Sequence, residues 1–450
     1  MTDMNTPICD FINDYCKSGA KRFHMPGHKG IGDGCELDVT EIDGLDSLYA
    51  NRGVILESEQ NASAIFGSYK TCYSTEGSSQ CIKAMLHLAK AYRSPLERGY
   101  VLASRNVHSS FISASALLDF DIEWLYGKEG DSYICCTISA EEVDEILNDA
   151  KEKPFAVFVT SPDYLGNICD ISALARVCKK HDVLLLVDNA HGAYLKLSDT
   201  LLHPIDLGAD MCADSAHKTL PALTGAAYLH ISTSCNAKEF FAKNVKGAMH
   251  IYGSTSPSFL TLCSLDKLNY EIAHTELKKQ QNVVENALSG LKKCLQVYDF
   301  DIISNETLKL SICTASYGYT GNEFASLLKD KGICVEFFDS DFVVFMMSAS
   351  TDLKDIEYLK NVLLSISKKP KIDFSAPVIC KCERAISTRQ ACFMPKEQIP
   401  LDNALGRVLG EFTLSCPPAV AIVVCGEKIN EGAIAALKHY GTEYVDVIIS

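Results

Sequence analysis

The chain has no apolar run approaching the roughly 20 residues needed to cross a bilayer, which excludes a membrane-spanning helix from its expected elements. Its first sixteen residues are polar and are broken by Pro7, Asp10 and Asp14, so they lack the apolar centre of a secretory signal. Positive charge is also short: 42 Lys and Arg against 57 Asp and Glu give a formal net charge of −15. Nucleic-acid phosphates are held by clustered Lys and Arg, so no nucleic-acid partner is expected. An acidic surface draws cationic substrates weakly over long range, although acidity also serves solubility alone. Periodic repeats and low-complexity tracts are missing as well. Cysteine is plentiful, 20 residues, but mostly scattered through apolar runs at Cys178, Cys212, Cys263, Cys313 and Cys334. The closest pairs, Cys135-Cys136 and Cys380-Lys-Cys382, lack the C-x₂-C…C-x₂-C spacing of a zinc site. They read as small buried hydrophobes in a reducing compartment, with no metal expected and a cytoplasmic location favoured.

What is present is globular composition, 47% hydrophobic and 22% charged, over 450 residues. A short helix is expected over residues 8–17. From about 57 to 229, helical segments alternate with short apolar runs. Residues 78–93 carry Ile82, Met85, Leu86 and Ala89 at three- and four-residue intervals, the spacing of a helix face. Residues 155–160 and 183–187 are continuous apolar runs separated by a helical stretch over 172–181. Strand, helix, strand in that order predicts a parallel sheet buried on both faces. Helices are expected over 237–245 and 260–293, then short strands over 309–314 and 343–347 around a helix at 322–331. Residues 368–372 read as a linker to a final segment over 373–450.

Five stretches carry residues suited to chemistry. The run Val183-Leu-Leu-Leu-Val187 ends in Asp188-Asn-Ala-His-Gly192, and ligands collect at the carboxyl ends of parallel strands. An Asp there also caps turns routinely. Asp214-Ser-Ala-His-Lys218 places Ser215 and His217 beside a lysine, a setting for an anion next to a Schiff-base amine. An isolated Lys is ordinarily a surface residue. The order Asp188 then Lys218, 30 positions on (218 − 188), is compatible with pyridoxal phosphate (PLP). There a carboxylate keeps the pyridine nitrogen protonated and an amine carries the coenzyme. Ser74-Thr-Glu-Gly77-Ser78-Ser79 opens the helix at 78 with small residues that can cradle a phosphate, or simply cap the helix. Arg105-Asn-Val-His108 offers an imidazole to stack on a ring, though a lone His is more often structural. Gly253-Ser-Thr-Ser-Pro-Ser258 is a loop rich in hydroxyls.

These pieces, in this order, resemble the Orn/Lys/Arg decarboxylase family of fold-type I PLP enzymes. The resemblance extends to Phe23-His-Met-Pro-Gly-His-Lys-Gly30, Gly44-Leu-Asp-Ser-Leu48, Ala64-Ile-Phe-Gly67, Pro395-Lys-Glu397, Gly406-Arg407 and Cys416-Pro-Pro-Ala-Val420. It implies an α/β, aspartate-aminotransferase-like fold: a large domain with a mostly parallel sheet and smaller α+β domains after it. The expected divisions are an N-terminal arm over 1–58, a PLP-binding domain over 59–300, a small α/β domain over 301–370 and a C-terminal family domain over 371–450.

The resemblance also implies roles. Lys218 holds PLP, Asp188 pairs with the pyridinium nitrogen, and His108 and Ala190 pack on the two ring faces. Ser78, Ser79, Ser215 and His217 contact the phosphate, and His191 lies near the ring. In a homodimer, or a higher homo-oligomer, Ser254 or Thr255 reaches the partner subunit's phosphate. The implied reaction is loss of CO₂ from arginine, lysine or ornithine, with arginine expected first. His108 and Lys218 are the candidates to return the proton to Cα, and Glu336, Asp339 and Asp341 are carboxylates that could meet a guanidinium. The chain begins almost directly at its His-Met-Pro-Gly-His motif, which favours a biosynthetic role over acid resistance. Three departures bear on substrate: Asn189 where the family often has Glu, Gly225 where many members have Gln, and Pro417-Pro-Ala-Val-Ala421 for Pro-Pro-Gly-Ile-Pro. Two other readings stay open: another fold-type I reaction, transamination or a carbon–carbon lyase step, and a non-catalytic relative that binds a partner.

Overall fold

The computed structural model describes residues 4–127, 133, 136–274, 276–303, 306–372, 377, 379–412 and 420–449. Cys135 and the Cys416-Pro-Pro-Ala419 part of the C-terminal signature lie outside these. The chain forms two compact units that interleave in sequence. The first comprises Met1–Glu97 and Ile171–Gln281, the second Arg98–Asp170 and Asn282–Ser450.

Seven strands, numbered in chain order, come first: β1 Ser68–Ser74, β2 Tyr100–Ser104, β3 Asp121–Leu125, β4 Ala156–Thr160, β5 Leu184–Asp188, β6 Met211–Asp214 and β7 Ala227–Ser232. In the first unit the order is β1-β7-β6-β5, with β5 and β6 parallel and β7 antiparallel to both β6 and β1. In the second, β4, β2 and β3 lie side by side, all parallel. Every residue of β5, β6 and β7 is buried. This is why Val183–Val187 reads as an unbroken apolar run: a strand covered on both faces has no solvent side to make polar.

The helix Ser78–Arg93 packs Ile82, Met85, Leu86 and Ala89 fully inside, each of the larger three contributing about 1.5–3 kcal/mol of burial. Helices at Pro7–Lys17 and Ile171–His181 stand where the periodicity placed them. The helix expected over 237–245 runs on to Tyr252. The single helix expected over 260–293 is two, Phe259–Ala273 and Glu276–Val297. At His274 the backbone leaves the helix, and the ring Nδ1 bonds the Tyr270 carbonyl at 2.7 Å. The apolar spacing continues across this break, so periodicity alone does not reveal it.

In the second unit, β8 Asp301–Ile302, β9 Lys309–Cys313, β10 Phe337–Phe338 and β11 Phe342–Met346 form an antiparallel sheet in the order β10-β11-β9-β8. Its helix Gly321–Asp330 starts on a capping box between Thr320 and Glu323. The expected linker is tied down, with Lys369 N–H on the Tyr317 carbonyl and Ile372 N–H on that of Ala315. Near the end, β12 Lys396–Pro400 pairs with β13 Tyr444–Ile448, and Arg407 bonds Glu397 at 2.6 Å. Two pieces of the C-terminal signature thus meet.

Candidate active site

Asp188 is the last residue of β5 and pairs in register with Ala213 of the parallel β6. Both strands therefore end together, and the chain leaving β6 carries Ser215, His217 and Lys218 past the carboxylate end of β5. Asp188 is buried, and its Oδ1 accepts the Ala190 N–H at 3.1 Å, which turns the chain sharply after the strand. His191 follows on that turn, and its Nε2 lies 3.1 Å from Lys218 Nζ. The sequence pattern left the partner of His191 open; within the first unit it is Lys218. Ala190, expected against a ring face, is buried on the same turn.

The stretch at 74–79 has a geometry that could hold an anion. Gly77 is the N-cap of Ser78–Arg93 at φ +69°, with no side chain to accept from the first-turn N–H groups. Ser215 Oγ donates to Ser78 Oγ at 2.8 Å, so hydroxyls from the lysine loop and the helix start face one place. His217 Nδ1 donates to the Ala226 carbonyl at 3.0 Å, which leaves Nε2 as its other polar atom. A helix N-terminus ringed by hydroxyls suits a phosphate, and an amine and a buried carboxylate at neighbouring strand ends suit a pyridoxal ring. The residues present fit PLP.

Sequence reasoning missed the supports of this cradle. Gln80 Nε2 donates to Tyr49 Oη at 2.9 Å and to the Met249 carbonyl at 2.8 Å, and its Oε1 accepts from Ser74 Oγ at 2.6 Å. A Cβ on Gly253 would stand 2.0 Å from both Gln80 Nε2 and Tyr49 Oη, so a larger residue here would displace that hydrogen-bonded pair. No spacing rule connects residues 49, 80 and 253. Beyond Gly253, Ser254 is exposed and its Oγ accepts the Ser256 N–H at 3.1 Å, and Thr255 is exposed beside it.

Two of the three departures from the family pattern have local causes. Asn189 is fully buried, and its Nδ2 donates to Asp214 Oδ1 at 2.8 Å. A glutamate at 189 would bring a second carboxylate toward the buried Asp214. Gly225 has φ +91°, its carbonyl accepts the Gly77 N–H at 2.8 Å, and a Cβ there would meet the Thr75 carbonyl at 2.6 Å. Any larger residue would force the phosphate cradle apart. Of the third departure only Val420 and Ala421 are described; both are buried, and the Ala421 carbonyl accepts the Arg105 Nε–H at 2.8 Å.

In the second unit, His108 caps the helix Ser109–Leu118: its Nδ1 accepts the Ser110 N–H at 3.2 Å, and the residue stays exposed. Asn106, two residues before it, is buried, and neither polar atom of its amide has a partner among the described residues. A buried amide left this way is met by a water, a bound group or local strain. Of the carboxylates considered for a guanidinium, Glu336 is exposed, and Asp339 and Asp341 are engaged within this unit. Asp339 Oδ1 accepts the Asp341 and Phe342 N–H groups at 2.8 Å, and burial pushes its carboxyl up to about 6. Asp341 accepts from His439 Nε2 at 2.8 Å.

Residues 6–315 match the family model described as Orn/Lys/Arg decarboxylase, major domain. An arginine decarboxylase of Halalkalibacterium halodurans is 28% identical, covering 96% of this chain and 93% of its own. An arginine decarboxylase of Bacillus subtilis is 26% identical over 97% and 93%. Among solved structures, a Francisella novicida lysine decarboxylase superposes with a TM-score of 0.80 at 18% identity, over 99% of this chain and 82% of that one. Lysine decarboxylase A of Pseudomonas aeruginosa gives 0.81 at 15% identity, over 98% and 80%. At these identities the structures establish the fold, that of fold-type I PLP enzymes.

Proposed function

The chain belongs to the Orn/Lys/Arg decarboxylase family, and from that premise we propose that it decarboxylates arginine. It is a PLP-dependent amino-acid decarboxylase, acting on a basic amino acid. The choice of arginine rests on relatives that span nearly the whole chain: those from Halalkalibacterium halodurans, Bacillus subtilis and Bacillus anthracis are all arginine decarboxylases. The lysine decarboxylases stand at 15–18% identity and bear on fold alone.

The observation that carries the site assignment is the 3.1 Å approach of Lys218 Nζ to His191 Nε2 on the turn that follows Asp188. In this reading Lys218 holds the coenzyme and Asp188 faces the pyridine nitrogen. The first-turn N–H groups of Ser78 and Ser79, with Ser215 and His217, take the phosphate. Bound PLP supplies the sink for the electron pair left when CO₂ departs. The chain's own work is orientation and proton management. A proton on Lys218 Nζ can pass to His191 Nε2 across 3.1 Å, so this pair stores the proton that Cα needs after CO₂ leaves. His108 is the second candidate donor. In the same reading Ala190, buried on the turn after Asp188, packs against one ring face.

We also assign a homodimer in which Ser254 or Thr255 meets the partner subunit's phosphate. Exposure of that loop supports it, as does exposure of Phe23 and Met25 in the N-terminal motif and of Ile31 just after it, large apolar groups that a second subunit would cover.

The test of substrate is kcat/KM for arginine, lysine and ornithine with PLP present, products identified by mass. Arginine should lead by at least about tenfold, the worth of one well-placed polar contact. A lead for lysine or ornithine would overturn arginine and leave the decarboxylase reading in place.

A further inference from the structure

Inside the first unit, four residues given no role toward the coenzyme, His203, Cys212, Asp214 and His230, converge. Their donor atoms all lie within 4.8 Å of one another, and all four residues are fully buried. The sheet explains the convergence. Cys212 and Asp214 stand two apart on β6 and so share a face, and Cys212 pairs directly with His230 on β7. His203 arrives from the loop before β6.

We propose that these four side chains form a closed structural site for a divalent transition-metal ion, zinc by preference. The ligands would be His203 Nε2, His230 Nε2, the Asp214 carboxylate and Cys212 Sγ.

Three arguments carry it. The first is geometry: Asp214 Oδ2 lies 2.9 Å from His203 Nε2 and 3.3 Å from His230 Nε2, and Cys212 Sγ lies 3.7 Å from Asp214 Oδ1. Neighbouring ligands on a tetrahedral zinc ion stand roughly 3.3–3.6 Å apart, given bonds of about 2.0–2.3 Å. Small shifts bring the four into that shell. The second is the surrounding layer. His230 Nδ1 bonds Thr71 Oγ1 at 2.8 Å, which Ser68 Oγ bonds in turn at 2.7 Å. Asn189 Nδ2 holds Asp214 Oδ1 at 2.8 Å. Imidazoles and carboxylates that bind metals are fixed in this way by hydrogen bonds on their far sides. Phe66 closes the apolar wall, its ring centroid 4.3 Å from that of His230. The third is charge. A thiolate and a carboxylate balance a dication, so the filled site is neutral in a core where net charge is costly. Binding displaces the Cys212 proton to solvent and leaves both imidazoles neutral.

With four protein ligands the shell has no open position, which makes the ion structural rather than catalytic. It would pin β6, the strand that delivers Ser215 and Lys218, to β7 and the 203 loop. The competing arrangement is metal-free: a buried carboxylate accepting from both imidazoles and Asn189. The Ile205 N–H facing His203 Nδ1 at 3.4 Å favours the tautomer that this arrangement needs, and metal binding requires that ring to shift.

The decisive experiment takes the full chain with PLP bound, grown with added zinc and purified without chelators. Metal content is read by mass spectrometry and zinc coordination by X-ray absorption. About one zinc per chain is expected, with one sulfur among four ligands. Cys212→Ala should lower zinc retention by at least about tenfold while coenzyme absorbance persists. Should that variant fail to fold, the absorption spectrum of the unsubstituted chain still decides. A folded chain with substantially no bound metal would overturn the proposal. So would zinc surrounded only by nitrogen and oxygen, or full zinc retention in Cys212→Ala.

Discussion

At the scale of single residues, the departures from the family pattern are the informative ones. Asn189 looked from sequence like a change bearing on substrate, yet its amide is spent on Asp214, inside the core. Asp214 is fully buried and takes this amide as a donor. A carboxylate at 189 would replace that donor with a second acceptor of like charge. Asn189→Asp should therefore destabilise the chain by about 3 kcal/mol near neutral pH. The introduced group is forced to hold its proton in the folded state at a pH where the unfolded chain has released it. The loss should thus shrink as pH falls, when the protonated group can donate to Asp214. Denaturant titrations of both chains at mildly acid and mildly alkaline pH check this; a deficit that grows toward acid would contradict it. Lys218, Asp188, Ser78 and Ser215 could be proposed from the sequence because their motif order is distinctive. Gln80 and Tyr49 were not, because their link to Gly253 exists only once the chain is folded.

At the scale of elements, apolar spacing located most helices and strands, and it failed where packing rather than pattern sets an end. The break at His274 is one such case. The first helix, Pro7–Lys17, is another: its N-cap Thr6 makes no side-chain cap, and the service comes from a distant element. Asp266, on Phe259–Ala273, accepts the Ile8 and Cys9 N–H groups at 3.0 Å with Oδ2 and Ser58 Oγ at 2.5 Å with Oδ1. No local rule reveals a cap 258 residues away. Burial pushes the Asp266 carboxyl up from 3.8 to about 6, against the pull of its hydrogen bonds. Between those values the folded chain keeps a proton that the unfolded chain has lost. Its stabilising effect is complete below about pH 4 and lost as pH rises through 6, a swing of about 3 kcal/mol. Asp266→Asn cannot titrate. The stability of the unsubstituted chain minus that of the variant should therefore fall from pH 4 to 7; a flat difference would contradict the assignment.

At the scale of the whole molecule, the two compact units each draw on separated stretches of sequence. The divisions proposed at 58, 300 and 370 follow family segments instead, and composition carries no mark of where the chain passes from one unit to the other. The assembly proposed above predicts a particle of twice 49.3 kDa in sedimentation at micromolar concentration, and a persistent 49.3 kDa species would contradict it. The account as a whole turns on one lysine among many, because the assigned roles of Asp188, His191 and the phosphate cradle are all placed around it. The most direct measurement is to load the chain with PLP, fix the coenzyme to its lysine with borohydride, and map the modified peptide by mass spectrometry. The account predicts a single modified residue, Lys218. Modification of a different lysine, with Lys218 untouched, would contradict it.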